Sequence, residues 1–169
     1  MSETEKTEWK GTRRGDGGTY LVIADGNEES SMAAYYACRI ADARRGYVAI
    51  AHITDLEDFV HWGSVEAMMR NDLRNQAEKD IWTMAKSIND AYPHIYPSLH
   101  VHEGVIIDEI TNIIENNHAI RALILAGSTN VNNQGPLVSH FTGKGMNNLR
   151  VPVIIVPGHL DKEAIDAIT

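Results

Sequence analysis

What this sequence has little of narrows the field first. A single cysteine, Cys38, stands in 169 residues, so neither an intrachain disulfide nor a multi-cysteine metal site can form. That scarcity fits a reducing compartment. Basic charge is also short: 15 Lys and Arg face 23 Asp and Glu, a formal charge of -8. Such a balance argues against nucleic acid phosphates or an anionic membrane as partner. No uninterrupted apolar run approaches the roughly 18 residues of a membrane span. The opening Met1-Ser2-Glu3-Thr4-Glu5-Lys6 has no basic stretch leading into an apolar one, so a secretory signal is not expected. A soluble, cytoplasmic protein is the expectation.

What is present is an alternation of short apolar runs with amphipathic segments, in a length that suits one domain. Residues 1–18 are charged and glycine-rich and read as a flexible tail. Residues 19–158 read as the folded domain and 159–169 as a C-terminal tail. Tyr20 to Ala24 is a strand stopped by Asp25-Gly26-Asn27. Glu28 and Glu29 suit the positive end of a following helix, where Ala33, Ala37, Ile40 and Ala41 share a face until Gly46 ends it. Tyr47 to Ile53 is a buried strand. A long amphipathic segment from about Ser64 to Tyr92 keeps Val65, Met69, Leu73, Ala77, Ile81, Met84, Ala85 and Ile88 on one side, until Pro93 and Pro97 stop it. Ser98 to His102 alternates as a third strand, and Ile106, Ile110, Ile113 and Ile114 mark a third helix. Arg121 to Ala126 is a fourth strand, Phe141 to Asn148 a fourth helix, and Val153 to Val156 a fifth strand. Alternating strands and helices imply an α/β fold with a five-stranded parallel sheet, doubly wound, because each parallel crossover needs a helix.

Four segments then carry a resemblance. They are Leu21-Val22-Ile23-Ala24-Asp25-Gly26 with the polar turn through Ser30, Ile50-Ala51-His52-Ile53, Val101-His102-Glu103-Gly104, and Leu123-Ile124-Leu125-Ala126-Gly127-Ser128 closed by Val151-Pro152-Val153-Ile154-Ile155-Val156-Pro157. In this order and spacing, the chain from Tyr20 to Pro157 resembles a single-domain universal stress protein. The resemblance implies strand order 3-2-1-4-5. In the ATP-binding branch the fourth strand is followed by Gly, two residues, Gly, nine residues, then Gly and Ser or Thr. Glycines there let the backbone approach phosphate oxygens, and amides at a helix start donate to the anion. Gly127 matches the first glycine, Asn130 stands at the second, and counting back from Pro152 puts the closing pair at Ser139-His140. A gapped alignment brings Gly135 into the motif instead. Asn130 can adopt a left-handed conformation in place of a glycine. Gly143-Lys144-Gly145 is not a P-loop, since no glycine stands five positions before Gly143.

For ATP or AMP, the resemblance puts Asp25 and Ile53 near adenosine and Gly127, Asn130, Ser139 and His140 along the phosphates. The residues themselves leave plainer readings open. Asp25 can stop its strand and cap the next helix, His52 can be a packed histidine bonded to backbone, and Cys38 an inert core thiol. His100 and His102 share a strand face at a spacing two metal ligands could use, without an evident third ligand. Phe59 and His61-Trp62 precede the long helix as a lid, a partner surface or a core edge. No nucleophile with an adjacent base is legible, so no catalytic residue is assigned. Three functions stay in view: a dimeric stress-response binding module with weak or absent nucleotide binding, an ATP-binding protein with slow ATPase activity through His140 or Lys144, and a nucleotide-independent interaction module. Strand order 3-2-1-4-5 leaves Val153, Ile154, Ile155 and Val156 at an apolar sheet edge, where the family commonly dimerises. A homodimer is therefore expected, and a monomer mass by light scattering at micromolar concentration would contradict it.

Overall fold

Five apolar runs pair as strands: β1 (Thr19–Ile23), β2 (Tyr47–Thr54), β3 (Ser98–Glu103), β4 (Ile120–Ala126) and β5 (Val153–Val156). The computed structural model describes residues 17–55 and 65–169. Every pairing is parallel, and the sheet order is β3-β2-β1-β4-β5. Connecting them are α1 (Glu28–Arg44), α2 (Glu66–Ala91), α3 (Ile106–Asn116), α4 (Pro136–Phe141), a 3-10 turn over Lys144–Asn148, and a terminal α5 (Lys162–Ile168). The doubly wound arrangement follows from right-handed crossovers. Those moving from β1 towards β3 put their helices on one face, and those moving from β3 to β5 put theirs on the other.

Each face has its own core because alternate strand residues point in opposite directions. Val22, Ile50 and Ile124 meet α1 and α2 on one side, while Leu21, Leu123 and Leu125 meet α3 and α4 on the other. The face of α1 that meets the sheet is made of Ala33, Ala37, Cys38 and Ala41, all fully buried. Their small size lets the helix lie close to the strands. His52 behaves as a packed histidine, its Nδ1–H donating to the Ala24 carbonyl at 2.9 Å and so fastening β2 to the chain leaving β1. Arg150 reaches the carbonyls of Ile114 at 2.5 Å and Asn117 at 3.0 Å, supplying at the end of α3 the cation that the helix lacks in its own last turn.

Several boundaries differ from the sequence reading. The fourth helix is not Phe141 to Asn148. It starts at Pro136, whose fixed φ suits a first helical position, and stops at Phe141, because Gly143 and Gly145 favour helix poorly and leave only the 3-10 turn. The left-handed turn that ends α1 falls on Arg45, at φ 56°, one residue before Gly46. Only the second half of the α2 stripe is core: Ala77, Ile81, Met84 and Ile88 are buried, whereas Val65, Met69 and Leu73 are exposed. Residues 1–16 of the expected tail, and Phe59, His61 and Trp62, lie outside the described residues.

The largest correction is at the C-terminus. Residues 159–169 are not a tail, since Asp161 caps α5 by accepting from the Ala164 amide at 2.8 Å and Ile165 is fully buried. Tyr35 donates to Asp166 at 2.8 Å, Arg39 Nε lies 3.2 Å from the same carboxylate, and Lys162 stands 5.3 Å above the Tyr35 ring. Burial, then the hydrogen bonds to Tyr92 and Asp166, push the Tyr35 hydroxyl pKa up. Eleven mostly polar residues had masked one buried isoleucine. Ile165→Ala should cost about 2–5 kcal/mol in urea unfolding, whereas a loose tail would leave the midpoint unmoved.

Candidate functional site

An open parallel sheet offers its ligand crevice where the strand order reverses, at the carboxyl ends of the two strands that diverge to opposite faces. Here those strands are β1 and β4, in register from Tyr20–Ala122 to Val22–Ile124. The turn Ala24-Asp25-Gly26-Asn27 leaves β1 towards α1, and residues 127–135 leave β4 towards α4.

The β1 side is an acidic helix start. Asn27 caps α1 by accepting from the Ser30 amide at 2.7 Å. Asp25, for which capping this helix was one reading, instead accepts from the Asn27 amide at 3.2 Å and side chain at 2.8 Å, so it shapes the turn without capping the helix. Glu28 and Glu29 occupy the first turn. A Cβ on Gly26 would lie 2.7 Å from an Asp80 carboxylate oxygen, so α2 brings another acid to the same turn.

The β4 side is a loop in which most amides are already engaged. Gly127 donates to the Val156 carbonyl at 2.8 Å and Asn133 to the Asn130 carbonyl at 3.1 Å. Asn130 donates to Ser128 Oγ at 3.0 Å, Asn132 to Asn130 Oδ1 at 3.0 Å, and Gly135 to Asn133 Oδ1 at 2.9 Å. Thr129 gives its hydroxyl to Glu29 Oε1 at 3.0 Å, and its backbone N–H also bonds that carboxylate. Glu29 therefore spans the crevice from α1. The bonds from its own backbone and from Thr129 hold its carboxyl below the usual carboxylate range. Gly158 completes the packing, because a Cβ there would stand 2.3 Å from the Gly127 carbonyl oxygen and 2.9 Å from Glu29 Cγ.

The residues inferred for a nucleotide are only partly assembled. Asp25 and Gly127 border the crevice. Ile53 is buried in the core under α3. Asn130 is not left-handed, since Arg45 is the one non-glycine with positive φ among the described residues; it organises successive turns through its side chain and carbonyl. Ser139 and His140 lie inside α4, and the Ser139 amide bonds the Gly135 carbonyl at 3.1 Å. At the helix start stand Gly135 and Pro136, and proline has no N–H to give an anion. The Glu29–Thr129 bond was not legible because it joins residues a hundred positions apart, whereas proline before an apolar pair was a readable helix start.

His100 and His102 turn to separate partners, Ser98 Oγ at 3.2 Å and Glu109 Oε2 at 3.2 Å, with ring centres 6.2 Å apart. Among the described residues, no three His, Cys, Asp or Glu side chains are grouped to hold a metal ion. No described helix is long and apolar enough to cross a membrane.

A doubly wound α/β domain with its crevice between the first and fourth strands is thus the class that fold and site define. No family model and no curated protein sequence matches the chain. Solved structures do. Universal stress protein UspA from Lactobacillus plantarum superposes with TM-score 0.67 at 14% identity, covering 82% of this chain and 97% of that one. A protein of the universal stress protein family from Burkholderia pseudomallei gives TM-score 0.64 at 12% identity, over 84% and 97%. A universal stress protein in complex with cAMP gives 0.52 at 18%, over 83% and 97%. The chain has the universal stress protein fold.

Because the Glu29 pKa is depressed on folding, its contact contributes fully above the unfolded pKa and is lost as pH falls through the folded value. Glu29→Gln should flatten that part of the acid-unfolding curve; an unchanged acid limb would show that the carboxylate is not bonded in solution.

Proposed function

We propose that this protein is a member of the universal stress protein family acting in the cytoplasm as a homodimeric, stress-responsive binding module, with weak or absent binding of ATP or AMP. The observation that carries the reading is the occupation of the crevice by the chain's own groups. A phosphate entering beside Gly127 would have to displace the Glu29 carboxylate from Thr129 and break turns made by Ser128, Asn130 and Asn133. Its charge would also face Asp25, Glu28 and Glu29, and Pro136 at the start of α4 has no N–H to offer it. Activity through partner proteins follows more readily from this arrangement than phosphoryl transfer does. A slow ATPase would need His140 or Lys144 beside the phosphates, and His140 sits in the second turn of α4 while Lys144 opens the 3-10 turn after it.

The homodimer reading rests on β5. Among the described residues it pairs only with β4, and Val153, Ile154 and Ile155 remain half-buried in the single chain. An apolar edge of this kind is a template for a second copy.

Titration calorimetry and thermal shift with millimolar ATP, AMP and cAMP test the nucleotide part. The expected result is no heat and no rise in melting temperature. Micromolar affinity for any of the three would overturn the reading and restore the ATP-binding alternative.

A further inference from the structure

A second cavity lies away from the β1–β4 crevice, between α3 and the segment of α4 and the 3-10 turn, on the opposite side of the sheet from α1 and α2. Its volume is about 500 Å³, and Asp108, Thr111, Asn112, His140, Gly145 and Asn148 line it. That size suits a small ligand. One feature of its wall is built with unusual economy of space. A Cβ on Gly145 would stand 2.2 Å from Cδ2 and Nε2 of His140, so this edge of the imidazole fills the space that a side chain at position 145 would need. The ring also meets Phe141 in a T-shaped contact, with centres 4.9 Å apart.

The imidazole is thus held between two neighbours, half-buried. Asp108, Asn112 and Asn148 are exposed, and their side-chain polar groups, like the ring nitrogens of His140, form no hydrogen bond with another described residue. These groups offer mixed chemistry: a carboxylate that only accepts, two carboxamides that each donate and accept, and an imidazole that does one at each nitrogen. The charge among them is the negative one of Asp108, which disfavours phosphate and carboxylate ligands. No Phe, Tyr or Trp face lines the cavity to stack a base.

We propose that this cleft binds a neutral, hydroxyl-rich small molecule of the monosaccharide or polyol class. Vicinal hydroxyls match the set: their protons go to Asp108 and the amide carbonyls, and their oxygens accept from the amide NH₂ groups of Asn112 and Asn148. The imidazole of His140 supplies a further hydrogen-bond partner. The site is separate from the β4–α4 loop and needs no phosphate, so its success or failure does not depend on how that loop is read.

The test is NMR titration of the full chain with D-glucose and D-ribose, following the His140 ring protons and the side-chain NH₂ groups of Asn112 and Asn148. The expected result is saturable shifts at these positions, with affinity falling about tenfold in Asn148→Ala and in His140→Ala, as loss of a hydrogen-bond partner implies. Gly145→Ala should displace the ring and abolish the response. Should that variant not fold, Asn148→Ala, an exposed position, decides alone. The proposal is overturned by the absence of saturable shifts with both sugars, or by shifts unaltered in Asn148→Ala and His140→Ala. It is also overturned if spermidine or AMP moves the same resonances at lower concentration than either sugar, since the cleft would then select charge.

Discussion

All strands of this sheet run in one direction, and most of the structure follows from that constraint. A parallel strand cannot return through a tight turn, so each connection carries a helix, and the helices must cover both faces. β1 sits at the centre with a neighbour on each side, and Leu21 and Val22 are fully buried on opposite faces. The reversal of order at β1 and β4 leaves a crevice at their carboxyl ends as a geometric consequence, whatever residues line it. Fold and site are therefore separable: the apolar runs create the crevice, and the polar turns decide what can enter it.

In this chain the polar turns close on themselves. Backbone N–H groups require acceptors, and a loop that binds phosphate leaves several pointing at the ligand. Here Asn and Ser side chains bend back to neighbouring amides, a habit of these residues in turns, and Glu29 arrives from α1 carrying the negative charge that a phosphate would bring. The contact also fixes α1 to the β4–α4 loop, while His52 and Gly158 hold the flanking strand ends. Its role resembles that of a bound anion, supplied permanently by the fold.

The apolar runs were legible because period and length distinguish buried strands from amphipathic helices, and all five strands emerge close to their sequence boundaries. What was not legible depended on distance or on single residues. Ile165 stood among scattered apolar positions in a short charged terminus, and its burial, with Leu160 packed against the same core, is what holds the helix there. Counting back from Pro152 put Ser139 and His140 at a helix start. The start is instead Gly135-Pro136, because Gly143 and Gly145 interrupt the helix and shift its turns upstream. Asn130 occupies a position where a glycine-like conformation was anticipated, but its side chain achieves the turn without a positive φ. His140 was sought at a phosphate and lies against Gly145 in another cleft.

The claim on which the account turns is that the β4–α4 loop and Glu29 satisfy most of the loop's amides. Amide hydrogen exchange measured residue by residue, with and without millimolar ATP, tests it most directly. The account predicts that Thr129, Asn130, Asn132 and Gly135 exchange more slowly than unstructured amides, and that their rates do not change when ATP is added. Rapid exchange at these amides in the free protein, with protection appearing only in the presence of ATP, would contradict it and show an open phosphate loop.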